Sequence, residues 1–301
     1  MTSCSEKCPE LRRCRPLLGT FVEITARGGA AVVSGVEAAF AAIARAQSLL
    51  SYHDPSSELS LLNTNASSEP VQVDDWTFEV LALAQRVYLA SGGCFDPVVI
   101  PKPEQTGNQR RPDKLPHGLA RASFSDVALL PDNHVRFLRS LRLDLGGIAK
   151  GFAIDRAIEA LRVTGVSDAL VNAGGDMRAF GKHRWPVVVR DPTSPGQLRS
   201  MWTLRDSALA TSAVYFSRRR TSAGRWISAI VLPHSQQVWL ARASVTVQAP
   251  DAATADALTK VLALRGPLRA RAILVGFKAD GWWLANDGRL QSTQTAPCAA
   301  A

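Results

Sequence analysis

The sequence predicts an α+β fold of mixed sheets with packed helices, arranged as two intimately associated lobes. Three observations carry that prediction. Strand-like and helix-like periodicities follow one another in irregular order, no internal repeat occurs, and no linker-like stretch divides the 301 residues. With 46% hydrophobic and 20% charged residues, a chain of this length can bury a substantial core.

The elements are justified in order. Residues 21–25 alternate as a strand entered through Gly19-Thr20, and Val36, Phe40, Ile43 and Leu50 recur near helical spacing over 35–50, which predicts a core-facing helix. A second helix is expected from Asp75, as N-cap, to Ser91, with Gly92-Gly93 ending it. The stretch 101–113 has turn formers and charge without apolar period and is expected as an exposed loop. Beyond it the pattern predicts a helix over 148–163, strands at 169–172, 185–190, 226–232, 237–241 and 244–248, and a helix over 251–264. Residues 272–277 and 281–285 read as a hairpin turning through Lys278-Ala-Asp-Gly281. Residues 15–290 are expected to form a single domain, with disordered tails at 1–14 and 291–301.

Composition narrows the function classes. No apolar run approaches the roughly 20 residues of a membrane-spanning helix, and residues 1–14 lack the apolar core of a signal peptide, so the expectation is a cytoplasmic protein with no integral membrane segment. Cys4, Cys8, Cys14, Cys94 and Cys298 are odd in number and have no Cys-x-x-Cys pair, which argues against a disulfide framework and against zinc. The formal charge of +9, densest at Arg218-Arg219-Arg220, suits an anionic partner. The basic residues are scattered and do not interleave with aromatics, so a small polyphosphate ligand is favoured and nucleic acid is not.

The most informative stretch is Leu143-Asp-Leu-Gly-Gly-Ile-Ala-Lys-Gly-Phe-Ala-Ile-Asp155, where a strand becomes a helix. Gly146 and Gly147 permit a sharp turn and close approach to a ligand, the first helical N–H groups lack intrahelical partners, and Lys150 adds a full charge to the helix dipole. Such a corner is suited to phosphate. A glycine pair at this place also serves plain strand-to-helix packing.

Six segments in order bear on these alternatives: Leu18-Gly-Thr-Phe21, Ser51-Tyr-His-Asp-Pro-Ser-Ser-Glu-Leu-Ser-Leu-Leu-Asn63, Gly93-Cys-Phe-Asp-Pro97, Asp144-Leu-Gly-Gly-Ile-Ala-Lys-Gly151, Asn172-Ala-Gly-Gly-Asp176 and Ser244-Val-Thr-Val with Ala255-Asp-Ala-Leu258. Together they resemble the ApbE family of FAD:protein FMN transferases over about residues 16–265. The resemblance implies an ApbE-like fold and a Mg²⁺-dependent enzyme that cleaves FAD, joins FMN to a Thr or Ser of a target redox-complex subunit by a phosphoester, and releases AMP. It implies that Leu18, Tyr52, Cys94, Phe95, Asp96, Asp144 and Lys150 line the flavin nucleotide. By the same resemblance, Gly147 through its carbonyl, Asp256 and a nearby hydroxyl hold Mg²⁺, while Asp256 and Lys150 carry catalysis. Asn63 is open between ligand donor and turn residue, and Asp176 between a second site carboxylate and a turn residue.

The chain departs from the family pattern in three places. Where the family has Thr or Ser four residues after the metal-binding Asp, this chain has Lys260, preceded by Thr259. Either Thr259 replaces the missing hydroxyl, or the Lys260 ammonium sits where the metal would. Leu232 stands where an Asp is usual, with His234 displaced, and an Ala-Thr-Ser-Gly segment reads Ala210-Thr-Ser-Ala213. These departures leave two alternatives beside transfer: an FAD-binding carrier or assembly factor without transferase activity, and an FAD pyrophosphatase.

Overall fold

A computed structural model describes residues 10–99, 122–190, 198–213, 219–220, 226–227, 243–285 and 287–294. The expected loop at 101–113, the strand residues 228–232 and 237–241, and Cys4, Cys8, Cys298, Arg218, Leu232 and His234 lie outside the described residues.

The chain opens with an antiparallel hairpin, β1 (Glu10–Leu17) and β2 (Thr20–Arg27), followed by α1 (Val32–Leu50). Next come α2 (Glu58–Asn65), β3 (Val71–Gln72), α3 (Asp75–Ala90), β4 (Val98–Val99), β5 (Val127–Leu130), β6 (His134–Phe137) and β7 (Arg142–Leu143). The rest comprises α4 (Ala149–Val163), β8 (Asp168–Ala173), β9 (Asp176–Phe180), β10 (Trp185–Arg190), β11 (Leu198–Leu204) and β12 (Ser207–Ala213). Short β13 (Arg219–Arg220) and β14 (Trp226–Ile227) precede β15 (Ala243–Ala249), α5 (Ala252–Gly276), β16 (Asp280–Ala285) and β17 (Leu290–Ser292).

Two compact units result, one of residues 1–47 with 148–301 and the other of residues 48–147. The larger unit is built on an antiparallel sheet in the order β1-β2-β8-β9-β12-β15-β16-β17. Side chains alternate across each strand, and the two faces have different company. Met177, Ala179 and Leu209 pack with Trp185, Val187 and Leu204 of the β10–β11 hairpin. The intervening Arg178 and Ser212 meet the helix layer, through Asp155 of α4 and Thr259 of α5. β15 is buried along almost its whole length, as an interior strand covered on both faces must be.

The smaller unit holds α2, α3, a β3-β6-β5 sheet and the β4–β7 pair around Leu59, Leu62, Leu81, Phe124, Phe137 and Leu143. Asp74, one residue before the expected cap, accepts from the Trp76 N–H at 2.9 Å to start α3. Gly92 and Gly93 end it with φ of 57° and 74°, in the left-handed region open to glycine.

Three expectations are corrected. Residues 10–14 are strand rather than disordered tail, because β1 pairs along its length with β2 and is laced to it by the Arg12–Glu23 and Arg27–Glu10 ion pairs. Residues 291–292 likewise belong to β17, paired with β16. Residues 272–277 are not a strand. α5 continues past a kink at Gly266 (φ 73°) and Pro267, and Ala270 and Leu274, four apart, bury one helical face. β16 therefore pairs with β15 and β17, not with a strand at 272–277. No helix among the described residues is long and apolar enough to cross a membrane.

Candidate functional site

In the larger unit, four charged side chains from three elements converge. Lys150 stands in the first turn of α4 and Asp176 opens β9 directly after a turn through Gly174 (φ 64°) and Gly175 (φ 104°). Asp256 lies in α5 with Lys260 one turn later. The Lys150 Nζ donates to Asp176 Oδ2, and the Lys260 Nζ donates both to Asp256 Oδ1 and, at 3.0 Å, to the Asp256 carbonyl oxygen.

The remaining carboxylate oxygens are also engaged. Asp256 Oδ2 accepts from the Gly151 N–H at 3.3 Å, so a side chain of α5 satisfies an orphan donor in the first turn of α4. Asp176 Oδ1 accepts from the Thr211 N–H at 3.2 Å. Thr259 is buried, with its hydroxyl donating to the Asp256 carbonyl at 2.7 Å and lying 2.8 Å from Ser212 Oγ on β12.

Burial is unequal across the quartet. The side chains of Asp176 and Asp256 are 4% and 1% exposed, whereas those of Lys150 and Lys260 are 36% and 19% exposed, so the carboxylates are the more deeply buried members. Burial raises the Asp176 carboxyl, and the neighbouring Asp256 charge raises it further against the lowering effect of Lys150. Burial acts upward on Asp256 too, but the Lys150 and Lys260 charges and the Gly151 N–H outweigh it and hold the carboxyl below its usual range. Burial alone would lower Lys150, yet Asp176 and Asp256 raise it, so the ammonium stays charged. A cation pair on a carboxylate base can attract phosphate through charge-assisted hydrogen bonds.

A third buried carboxylate sets the geometry of this corner. Asp155 accepts from the Ala252 and Ala253 N–H groups, both at 2.8 Å, and from Arg178 at 2.7 Å, joining the α5 N-terminus to α4 and β9. Burial nonetheless pushes its carboxyl up to about 6. The sequence alone does not mark Asp155 or Ser212 as site residues. Asp155 closes the motif that begins at Leu143, but its partners lie about a hundred residues away.

Leu18 sits at the β1–β2 turn with φ of 55°, its N–H donating to Gln47 Oε1 at 2.6 Å. The smaller unit holds Tyr52, Cys94, Phe95, Asp96, Asp144 and Gly147. Tyr52 is half-buried edge-on to His53, Cys94 is half-buried, and Phe95 is buried. Asp96 accepts from the Val98 N–H at 2.9 Å, and Asp144 from the Gly146 N–H at 2.8 Å. Both are short-range carboxylate turns. Asn63, open in the sequence between ligand and turn, pairs with the Leu143 backbone through both amide atoms, at 2.9 and 2.7 Å. Asp176 proves to be both a turn residue and a partner of Lys150.

The expected Mg²⁺ donor set of Gly147, Asp256 and Thr259 does not fit a divalent ion in this chain. Magnesium requires near-octahedral oxygen ligands, but Asp256 has an ammonium on one oxygen and an N–H on the other, and Thr259 is closed between the Asp256 carbonyl and Ser212. Of the two possibilities at this place, the structure has Lys260 on the carboxylate. No cluster of three or more His, Cys, Asp or Glu positioned for a metal occurs among the described residues.

The ApbE family model matches residues 18–280. The chain belongs to the ApbE family. Among its relatives is the FAD:protein FMN transferase of Treponema pallidum, 28% identical, with the match covering 94% of this chain and 87% of that protein. The Haemophilus influenzae FAD:protein FMN transferase is also 28% identical, over 73% of this chain and 69% of its own length. Among solved structures, the ApbE protein of Thermotoga maritima superposes with a TM-score of 0.78 at 25% identity, covering 95% of this chain and 98% of that one. The apo flavinyl transferase ApbE of Pseudomonas stutzeri has a TM-score of 0.76 at 19% identity, over 95% and 94% of the two chains, which speaks for the fold alone. The α+β architecture of this ApbE-family protein is therefore the ApbE fold.

Proposed function

We propose that this protein is an FAD:protein FMN transferase that moves FMN from FAD to a Thr or Ser hydroxyl of a target redox protein, forming a phosphoester and releasing AMP. The single observation carrying this reading is Lys150, held by Asp176 at the first turn of α4 with its ammonium side chain partly exposed, in a chain of ApbE-family membership. Substrate class follows from the relatives, which are named for FAD and a protein acceptor.

Phosphoryl transfer asks a protein mainly for positioning and neutralisation of charge on the phosphoryl oxygens. In this proposal Lys150 takes that charge, steadied by Asp176, and Asp256 orients the lysines around it. Leu18, Tyr52, Cys94, Phe95, Asp96 and Asp144 are proposed to line the flavin nucleotide. The acceptor hydroxyl oxygen bonds to the FMN-side phosphorus, the anhydride P–O bond breaks, AMP departs with the bonding pair, and the hydroxyl proton passes to solvent.

The test is incubation with FAD and an acceptor protein carrying an exposed flavinylation Thr, followed by intact-protein mass spectrometry and chromatography of nucleotides. The expected result is an FMN adduct with one AMP per adduct. AMP and free FMN without adduct would replace transfer by FAD hydrolysis, and bound FAD with neither product would replace it by a carrier role.

A further inference from the structure

The Lys260 ammonium is held in one place. It donates to both a side-chain and a main-chain oxygen of Asp256, four residues earlier on the same helix, so the side chain closes a ring over its own turn. An ammonium has three N–H donors, and this arrangement leaves one for a further acceptor, on a side chain that is 19% exposed. The same carboxylate accepts from the N–H of Gly151, the residue after Lys150, so the anion that holds Lys260 also ties down the first turn of α4.

Charge balance argues in the same direction. Two carboxylates and two ammonium groups already sum to zero in a mostly buried cluster. A divalent ion on Asp256 would have to displace the ammonium from Oδ1, or else sit beside it with uncompensated like charge in a poorly screened place. Thr259 offers no alternative, because its hydroxyl is turned to the Asp256 carbonyl and Ser212.

We infer that Lys260 supplies from within the chain the positive charge that a divalent ion would bring to the diphosphate, so that this protein transfers FMN without a divalent cation. The inference rests on the FMN-transfer reading. Lys260 directs its remaining donor to a phosphate oxygen, while bond making and breaking run as described for transfer, with AMP leaving and the hydroxyl proton passing to solvent.

The experiment has two independent readouts. Titration of the metal-stripped protein with Mn²⁺, followed by electron paramagnetic resonance of the free ion, is expected to show no site at Asp256 in wild type. Lys260→Ser is expected to gain one site, which disappears in Lys260→Ser/Asp256→Asn. In the transfer assay, wild type is expected to make adduct and AMP in EDTA at a rate within about twofold of that in Mg²⁺, whereas Lys260→Ser falls at least tenfold in EDTA and recovers with Mg²⁺. Wild-type transfer abolished by EDTA and restored by Mg²⁺ would overturn the inference, as would a wild-type Mn²⁺ site lost on Asp256→Asn. The wild-type titration and EDTA arms need no variant to fold. Absence of AMP and adduct in both buffers would overturn the FMN-transfer reading itself, while the Mn²⁺ titration would still decide whether Lys260 excludes the ion.

Discussion

At Gly151 the first turn of α4 lies against the start of α5, and a single methyl there should pry them apart. A Cβ at Gly151 would lie 2.1 Å from the Ala252 carbonyl oxygen and 2.7 Å from the Ala253 Cα, both backbone atoms that cannot rotate away. Restoring an ordinary contact requires the first turns of α4 and α5 to separate by about 1 Å. The hydrogen bonds that cross this seam, from Ala252 and Ala253 to Asp155 at 2.8 Å and from Gly151 to Asp256 at 3.3 Å, would then exceed hydrogen-bond length. Each is charge-assisted and worth about 1.5 kcal/mol or more, so Gly151→Ala should destabilise the protein by about 3–5 kcal/mol, some of it recovered by relaxation. Urea unfolding followed by circular dichroism measures this, and at this chain length the thermal midpoint should fall by roughly 5–8 °C. FMN transfer should fall as well, because Lys150 and Asp256 lie on either side of the seam. A variant within about 0.5 kcal/mol of wild type and equally active would refute the argument that this close approach builds the site.

Other perturbations separate stability from chemistry. Lys150→Met leaves Asp176 buried without its cation and should cost about 3 kcal/mol in urea unfolding, whereas Lys150→Met/Asp176→Asn should recover most of that stability and none of the AMP release. Burial raises Asp155 from its ordinary 3.8 to about 6, so between those values the native state holds more of this proton than the unfolded chain and its contribution to stability falls as pH rises. The stability difference between wild type and Asp155→Asn should therefore move against wild type by about 1–3 kcal/mol from pH 4 to pH 7, read from urea midpoints, and a flat difference would contradict it. Asn63→Ala strips both partners from the Leu143 backbone and should destabilise the unit of residues 48–147 by about 2 kcal/mol or more, measured by hydrogen exchange at Leu143.

Much of the helix and strand pattern was legible because it follows from neighbours in the chain. The buried stripe of Val36, Phe40 and Ile43, the Gly92-Gly93 stop and the alternation of β8 are short-range signals that needed no partner to be read. The signal failed at 272–277, where a β-rich run is helical because Ala270 and Leu274 are buried on one face of α5 beyond the Gly266–Pro267 kink. It also failed at 10–14, where a polar stretch becomes strand through ion pairs with β2 that composition does not reveal.

At the site the division is sharper. By itself the sequence determined that Lys150 would open a helix after a glycine pair and that Asp256, Thr259 and Lys260 would share one helix within reach of each other. Only the tertiary structure decided that Thr259 turns to Ser212 while Lys260 takes the carboxylate, and that Asp155 ties α4 to the start of α5. Local backbone rules act over a turn or two of chain, whereas the partner of a buried charge is chosen by whatever packing brings within about 3 Å, at any distance in sequence.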